Sequence, residues 1–240
     1  TIESILSEKK DSRRNKRSSN KNVIPITYVE DKRVISIIEK IFEIKNTYKA
    51  SNKEILHETV LHVLDNKSCP KEVENVLGQR SVKKEFLHAF TEIDFSYDNN
   101  NDLLGCLWTS LLTSGEKDKK GVFYTPYKIA KNIVDDIELK GRIVDPACGS
   151  GNFLIQAFKK LKSKGLKSDE ILNNLYGFDI DEVAVLLAKI NLYILDDIDF
   201  NSIKIECKDF LCSNLENFDT VIGNPPWGIK YTKEEKKKLE

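Results

Sequence analysis

Arg142-Ile143-Val144-Asp145-Pro146-Ala147-Cys148-Gly149-Ser150-Gly151-Asn152-Phe153 reads as a short apolar strand, an acid at its carboxyl end, a glycine turn and the opening of a helix. Glycine at 149 and 151 permits positive φ and lets backbone N–H groups approach a ligand closely, while a helix N-terminus adds partial positive charge. A ligand therefore belongs over this turn. It is not GxGxxG, and no Gly-Lys-Ser/Thr follows, so neither the dinucleotide fingerprint nor a phosphate loop is present. Asp145 and Pro146 set it apart.

Working outward, Ile129 to Ile137 reads as a helix, Arg142 to Asp145 as a strand and Asn152 to Lys162 as a helix. Strand Leu175 to Ile180, helix Asp181 to Ile194, and strands Ile203 to Cys207 and Phe218 to Ile222 follow. Alternation of this kind implies right-handed crossovers and a doubly wound, Rossmann-like α/β fold: a parallel sheet with helices on both faces. The separation of Gly151 from Asp179 exceeds the roughly 20 residues usual in that geometry, so residues 163–174 are expected to add a helical turn or loop.

Upstream of the polar connector Ser114 to Lys120 the period is helical. Val34, Ile37, Ile38, Ile41, Phe42 and Ile44 recur at three-to-four spacing, as do Ile55, Val60, Leu61 and Leu64 after the candidate N-cap Ser51. Further helices are expected around 71–78, 81–92 and 101–113. Residues 8–22 carry Lys9, Lys10, Arg13, Arg14, Lys16, Arg17 and Lys21 with few apolar anchors. The organisation expected is a basic, flexible segment 1–32, a small all-helical domain 33–115, and an α/β domain 116–240.

Lys and Arg number 38 against 38 Asp and Glu, for a formal net charge of zero and a pI near 6.8. Nucleic-acid-binding domains usually show a basic face, so any DNA-gripping surface is local or lies elsewhere. Five cysteines show no CxxC spacing and no pairing with the three histidines His57, His62 and His88, which points to free thiols and to no metal site. No apolar run reaches the roughly 20 residues of a membrane span, and no signal peptide opens the chain; the expectation is a cytoplasmic protein. With Thr1 first and no methionine anywhere, the sequence is expected to begin downstream of a native start.

Three more strand ends carry candidate site residues. Gly177-Phe178-Asp179 places an acid where doubly wound folds hold ribose hydroxyls, whereas Asp181 fits a helix cap better. Asp209-Phe210 pairs a carboxylate, which could accept from an exocyclic amine, with a ring that could cover a flat heterocycle. After the fourth strand, the prolines of Asn224-Pro225-Pro226-Trp227 restrict the backbone, so that the Asn side chain and a carbonyl are held rigidly. Two acceptors aimed at one spot suit an NH2 group, and a neighbouring aromatic offers a base a stacking face worth about 1–3 kcal/mol. Alone, Asn-Pro-Pro is a turn; its meaning comes from Asp145, Asp179 and Asp209 preceding it at successive strand ends.

With Gly121-Val122-Phe123-Tyr124-Thr125-Pro126 added upstream, residues 101–228 resemble the S-adenosylmethionine-dependent, adenine-specific N6 DNA methyltransferases of bacterial restriction–modification systems. Asp102-Leu103-Leu104-Gly105 through Leu111-Leu112 is similar to the helix leading into the cofactor motif of type I modification subunits. The resemblance implies a class I methyltransferase fold, with Phe123, Tyr124, Thr125 and Pro126 cupping the methionine end of S-adenosylmethionine. Asp145, Pro146, Ala147, Gly149, Gly151 and Asn152 would lie under that same end, Asp179 with Ile180 at the ribose hydroxyls, and Asp209 with Phe210 at the cofactor adenine. Asn224, Pro225, Pro226 and Trp227 would form the catalytic motif, Trp227 supplying the stacking face for an adenine extruded from double-stranded DNA. It further implies a seven-stranded sheet of which four strands are visible, leaving the rest, and a target-recognition domain or specificity subunit, outside these residues. Inactivity without that part is expected. Alternatives are transfer to RNA or to a protein glutamine, or a split, non-catalytic cofactor-binding subunit that needs a partner chain.

Overall fold

The computed structural model describes residues 31–96, 102–113, 115–117, 125–212 and 217–226. The basic segment 9–21 therefore lies outside the described residues, as do Phe123, Tyr124 and Trp227.

Among the described residues, the helices of the first part are these. Helix α1 (Lys32–Tyr48) starts where the Asp31 side chain accepts from Arg33 N at 2.8 Å, and it buries the expected Val34, Ile37, Ile38, Ile41, Phe42 and Ile44. Helix α2 (Asn52–Leu64) opens on a reciprocal capping box: Glu54 N donates to Ser51 Oγ at 3.2 Å and Ser51 N to Glu54 Oε2 at 2.8 Å. Short helices α3 (Lys71–Leu77) and α4 (Lys84–Thr91) follow. Helix α5 (Leu103–Leu111) buries nearly its whole circumference, as a helix apolar all round must.

The α/β part runs α6 (Tyr127–Asp136), β1 (Ile143–Asp145), α7 (Asn152–Ser163), α8 (Ser168–Asn173), β2 (Leu175–Asp179), α9 (Glu182–Tyr193), β3 (Lys204–Cys207) and β4 (Thr220–Val221). Helix α8 fills the insertion expected at 163–174. The strands form one parallel sheet in the order β3-β2-β1-β4, with Ile143 opposite Leu175 and Thr220, and Gly177 opposite Ile205. Strand β4 is shorter than the expected Phe218 to Ile222. Its described partner β1 has only three residues to pair with, and Asp219 is occupied in a turn, accepting from Arg142 N at 2.8 Å.

Alternation sorts the sheet residues onto two faces. Ile143, Leu175 and Ile205 join Leu154, Phe158, Leu186 and Leu187 of α7 and α9 in the core. On the other face the Arg142 guanidinium lies 4.8 Å from the Tyr176 ring and 5.0 Å from that of Phe218. Phe178 and Phe210 extend that aromatic patch at 5.6 Å, while Val221 of β4 is 63% exposed.

Helical and sheet parts share a contiguous hydrophobic cluster running from Val34 to Ile222. Helix α9 is the bridge, packing against α3 and α5 on one side and β2, β3 and α7 on the other. Its end is tied down by Tyr193 Oη donating to Ser68 O at 3.3 Å, and Lys67 Nζ donates to Asp196 O at 2.8 Å.

The strand order fixes where a ligand can sit. From β1 the chain proceeds outward through β2 and β3, then returns to place β4 on the opposite side of β1. This reversal is a topological switch point, the place at the carboxyl ends of the strands where open α/β sheets bind ligands.

Candidate active site

Strand β1 ends at Asp145, which is 1% exposed. Its Oδ1 accepts from Ala147 N at 3.1 Å, and its Oδ2 is buried without a partner among the described residues. Buried acceptors are nearly always satisfied, so an orphan oxygen at a strand end beside the switch point marks a place for a donor that the described residues do not supply. Burial pushes the Asp145 carboxyl up to about 8, the Ala147 N–H pulls it down, and the nearby Asp179 charge adds to the rise.

The glycine turn follows, with φ of 53° at Gly149 and 92° at Gly151, values open to glycine at little cost. A Cβ at Gly151 would also lie 3.1 Å from Ala188 Cβ of α9, so the turn sits directly on that helix. Cys148 N donates to Phe178 O at 2.8 Å, and Gly149 N donates to Asp179 Oδ2 at 2.8 Å, which binds the turn to the end of β2. Asp179 Oδ1 accepts from Asp181 N at 2.9 Å, and burial raises this second carboxyl as well, against those two N–H donors. Two acids displaced toward neutrality by burial make the switch point receptive to a cationic ligand.

Asp181 caps α9, accepting from Val183 N at 3.0 Å. Lys208 N donates to Asp179 O at 2.8 Å and so sets the end of β3 beside that of β2. There Asp209 Oδ1 accepts from Leu211 N at 3.0 Å. The Phe210 ring lies against Phe178 and Phe218, and the large apolar side chains standing exposed at these two strand ends are Ile180 at 63% and Leu211 at 55%. Leu211 was not singled out from the sequence, where its only signal is an apolar residue next to Asp209-Phe210.

Two motifs far apart in sequence meet at the switch point. Asn224 Nδ2, just past β4, donates to Thr125 Oγ1 at 3.2 Å, and Asn152 Nδ2 of α7 donates to Thr125 O at 3.1 Å. Gly223 has φ of +148°, and a Cβ there would lie 2.5 Å from Asp145 Oδ1, so β4 meets β1 at this point with no room for a side chain. The structure thus brings Thr125, Pro126, Asp145, Asn152 and Asn224 together around β1 and β4, and sets Gly149 and Asp179 alongside. Pro225 is exposed and Pro146, Ala147 and Pro226 are half-buried.

Asp102, Ser150 and Asn191 did not stand out from the sequence as site residues. They surround the glycine turn from behind: Ser150 Oγ donates to Asp102 Oδ2, and Asn191 Nδ2 donates to Asp102 Oδ1 at 2.8 Å. In sequence Asp102 opens the helix that resembles the one leading into the cofactor motif, and an acid before an apolar helix by itself indicates only a cap. No cluster of three or more His, Cys, Asp or Glu side chains that could hold a metal occurs among the described residues, and none of their helices is long and apolar enough to cross a membrane.

The N-6 DNA Methylase family matches residues 99–240. The chain is 34% identical over 178 residues to the type II methyltransferase M.VspI of Vibrio sp. (strain 343), an alignment covering 69% of this chain and 41% of that protein. It is 30% identical over 197 residues to the type I restriction enzyme MjaIX methylase subunit of Methanocaldococcus jannaschii, covering 77% of this chain and 34% of that one. The chain therefore spans about two-fifths or less of the length of these relatives. Among solved structures, a Listeria monocytogenes protein described as a class I S-adenosylmethionine-dependent methyltransferase superposes with a TM-score of 0.53 at 18% identity, over 87% of this chain and 62% of that one. A Vibrio vulnificus chain described as a type I restriction-enzyme modification subunit does so with a TM-score of 0.50 at 22% identity, over 73% and 40%. The fold is thus that of the class I methyltransferases, and with its motifs matched across more than half its length, the chain belongs to the N-6 DNA methylase family.

Proposed function

We propose that the protein transfers a methyl group from S-adenosylmethionine to N6 of an adenine extruded from double-stranded DNA, as the modification component of a restriction–modification system. The observation that carries this reading is the meeting of Asn224 with Thr125 beside Asp145, whose Oδ2 has no partner among the described residues. The cofactor would supply an electrophilic methyl on a sulfonium and an ammonium at its methionine end. Asp145 Oδ2 is suited to receive that ammonium, Asp179 the ribose hydroxyls, and Asp209 with Phe210 the adenine, with Ile180 and Leu211 exposed at the same strand ends.

Asn224 does the positioning. Its side-chain oxygen and the Pro225 carbonyl accept hydrogen bonds from the target amino group, which directs the nitrogen lone pair along the line of transfer; the N–CH3 bond would form as the S–CH3 bond breaks to leave a neutral thioether, and the extra N6 proton would pass to water. Catalysis then rests on orientation and a preorganised polar site, effects capable of supplying about 7–11 kcal/mol of barrier lowering. Trp227 would stack on the extruded base. The helical segment 33–115 supports the pocket from behind, and the DNA sequence is read by a domain or subunit beyond these residues.

Calorimetric titration with S-adenosylmethionine tests the reading. Micromolar binding that is lost in Asp179→Ala supports the assignment of the pocket. A folded protein that takes up no cofactor contradicts it.

A further inference from the structure

We propose that Asp102 is a positioning residue for methyl transfer: a buried anchor, contributed by the helical segment, that holds the glycine turn and, through it, the Asn224 amide in register. This rests on the function proposed above.

As a helix cap Asp102 needs one contact, and it has it: Gly105 N donates to Oδ1 at 2.7 Å. The remaining donors are not local. Ser150 Oγ comes from the glycine turn, Asn152 Nδ2 from the first residue of α7 at 3.4 Å, and Asn191 Nδ2 from the middle of α9 at 2.8 Å. Four donors from four places in the fold converge on a side chain that is 4% exposed, which matches the accepting capacity of one carboxylate.

The two asparagine donors each have a second attachment, and these attachments lead to the site. Asn191 Nδ2 donates to Ser150 O at 3.0 Å, so the central residue of the turn is held through both its side chain and its backbone. Asn152 Nδ2 donates to Thr125 O, and Thr125 Oγ1 accepts from Asn224. A path of hydrogen bonds therefore runs from Asp102 through Asn152 and Thr125 to the catalytic amide. A buried ionisable group is costly to bury, and packing alone would be served as well by an apolar residue. What the carboxylate adds is directional registry between α5, the turn, α7 and α9.

Gly105 shows how closely the elements approach. A Cβ there would fall 2.0 Å from Ser150 Oγ and 2.1 Å from Asp102 Oδ2. Helix α5 presents bare backbone to the turn, and any side chain would force Asp102 and Ser150 apart.

Three variants and one control test the inference in the full chain: Asp102→Asn, Gly105→Ala and Asn191→Ala, against Glu58→Gln. Glu58 is also buried in the helical segment, at 1% exposure, but its partners are Arg80 and His62, away from the switch point. The readouts are thermal midpoint, S-adenosylmethionine dissociation constant by equilibrium dialysis, and turnover on duplex DNA at saturating cofactor. Asp102→Asn and Asn191→Ala are expected to weaken cofactor binding about 10- to 100-fold, the factor associated with losing a hydrogen bond to a charged group. Both should also lower saturated turnover, because Asn224 loses its register. Glu58→Gln should lower the thermal midpoint while leaving the dissociation constant unchanged. Asn191→Ala keeps the test decisive should Asp102→Asn or Gly105→Ala fail to fold. Cofactor affinity and turnover that stay at wild-type values in folded Asp102→Asn or Asn191→Ala protein would overturn the inference alone. Wild-type protein that binds no S-adenosylmethionine would overturn the proposed function and this inference with it.

Discussion

Replacing Asp145 by Asn should abolish a proton release that accompanies cofactor binding to the wild-type protein. With its carboxyl pushed up to about 8 by burial, Asp145 is mostly protonated in the unliganded protein at pH 7, to roughly nine-tenths by the titration relation. Docking of the cofactor's ammonium on Oδ2 supplies the missing donor and returns the group toward the ordinary carboxylate range near 4. About 0.9 proton per cofactor then leaves at pH 7, and by linkage the affinity rises with pH until about pH 8 and then levels off. Calorimetry at pH 7 in phosphate and in Tris reads this directly. The observed heats should differ by about nine-tenths of the difference between the buffers' ionisation enthalpies. Asn keeps the acceptor for Ala147 N but cannot titrate, so in Asp145→Asn the two heats should agree and binding should weaken. Equal heats for wild type in both buffers would refute the assignment of this oxygen to the cofactor's ammonium.

The same carboxyl shapes stability without ligand. Its folded value lies above the 3.8 of the unfolded chain, so the native state binds more protons between those limits. The contribution is full below about pH 3.8 and is lost as pH rises through about 8, and chemical denaturation of Asp145→Asn should show a flatter profile across that window. Glu58 has the opposite sign: its hydrogen bonds and charge interactions with Arg80 and His62 outweigh its burial and hold it down to about 2 from 4.5. Its contribution is present above about pH 4.5 and fades as pH falls through about 2, and Glu58→Gln should cost about 1–3 kcal/mol at pH 7 by urea unfolding. Gly223→Ala forces a Cβ into Asp145 at a φ of +148° and should lower stability by about 1–3 kcal/mol, with loss of cofactor binding by dialysis. Asn224→Ala should abolish methylation while leaving the cofactor dissociation constant nearly unchanged; loss of both together would remove Asn224 from the chemistry.

The sheet and its glycine turn were legible because each rests on local chemistry. Ile143-Val144-Asp145-Pro146 followed by Gly149 and Gly151 leaves a strand and a ligand-facing turn as the natural conformation, and Ser51 with Glu54 announces a helix start. Other features depended on long-range pairing. Asp102 and Asn191 are 89 residues apart, and Asn224 and Thr125 are 99 apart. In sequence the first pair reads as a cap and a mid-helix amide, with nothing to indicate that they share a proton. The packing of the Phe210 ring is likewise long-range, because its neighbours Phe178 and Phe218 come from separate strand ends. The short β4 reflects the three-residue length of β1, a property of the partner strand and not of residues 218–222 themselves.

Transfer of a labelled methyl group, followed by identification of the modified residue, decides which acceptor the protein methylates. The full-length protein would be incubated with S-adenosylmethionine labelled on its methyl and with duplex DNA, RNA and protein acceptors, and the products digested and resolved by mass spectrometry. Label in N6-methyldeoxyadenosine from duplex DNA, absent with Asn224→Ala, is the result this account predicts. Label in RNA or in a protein glutamine, or in a DNA base other than adenine, would contradict it.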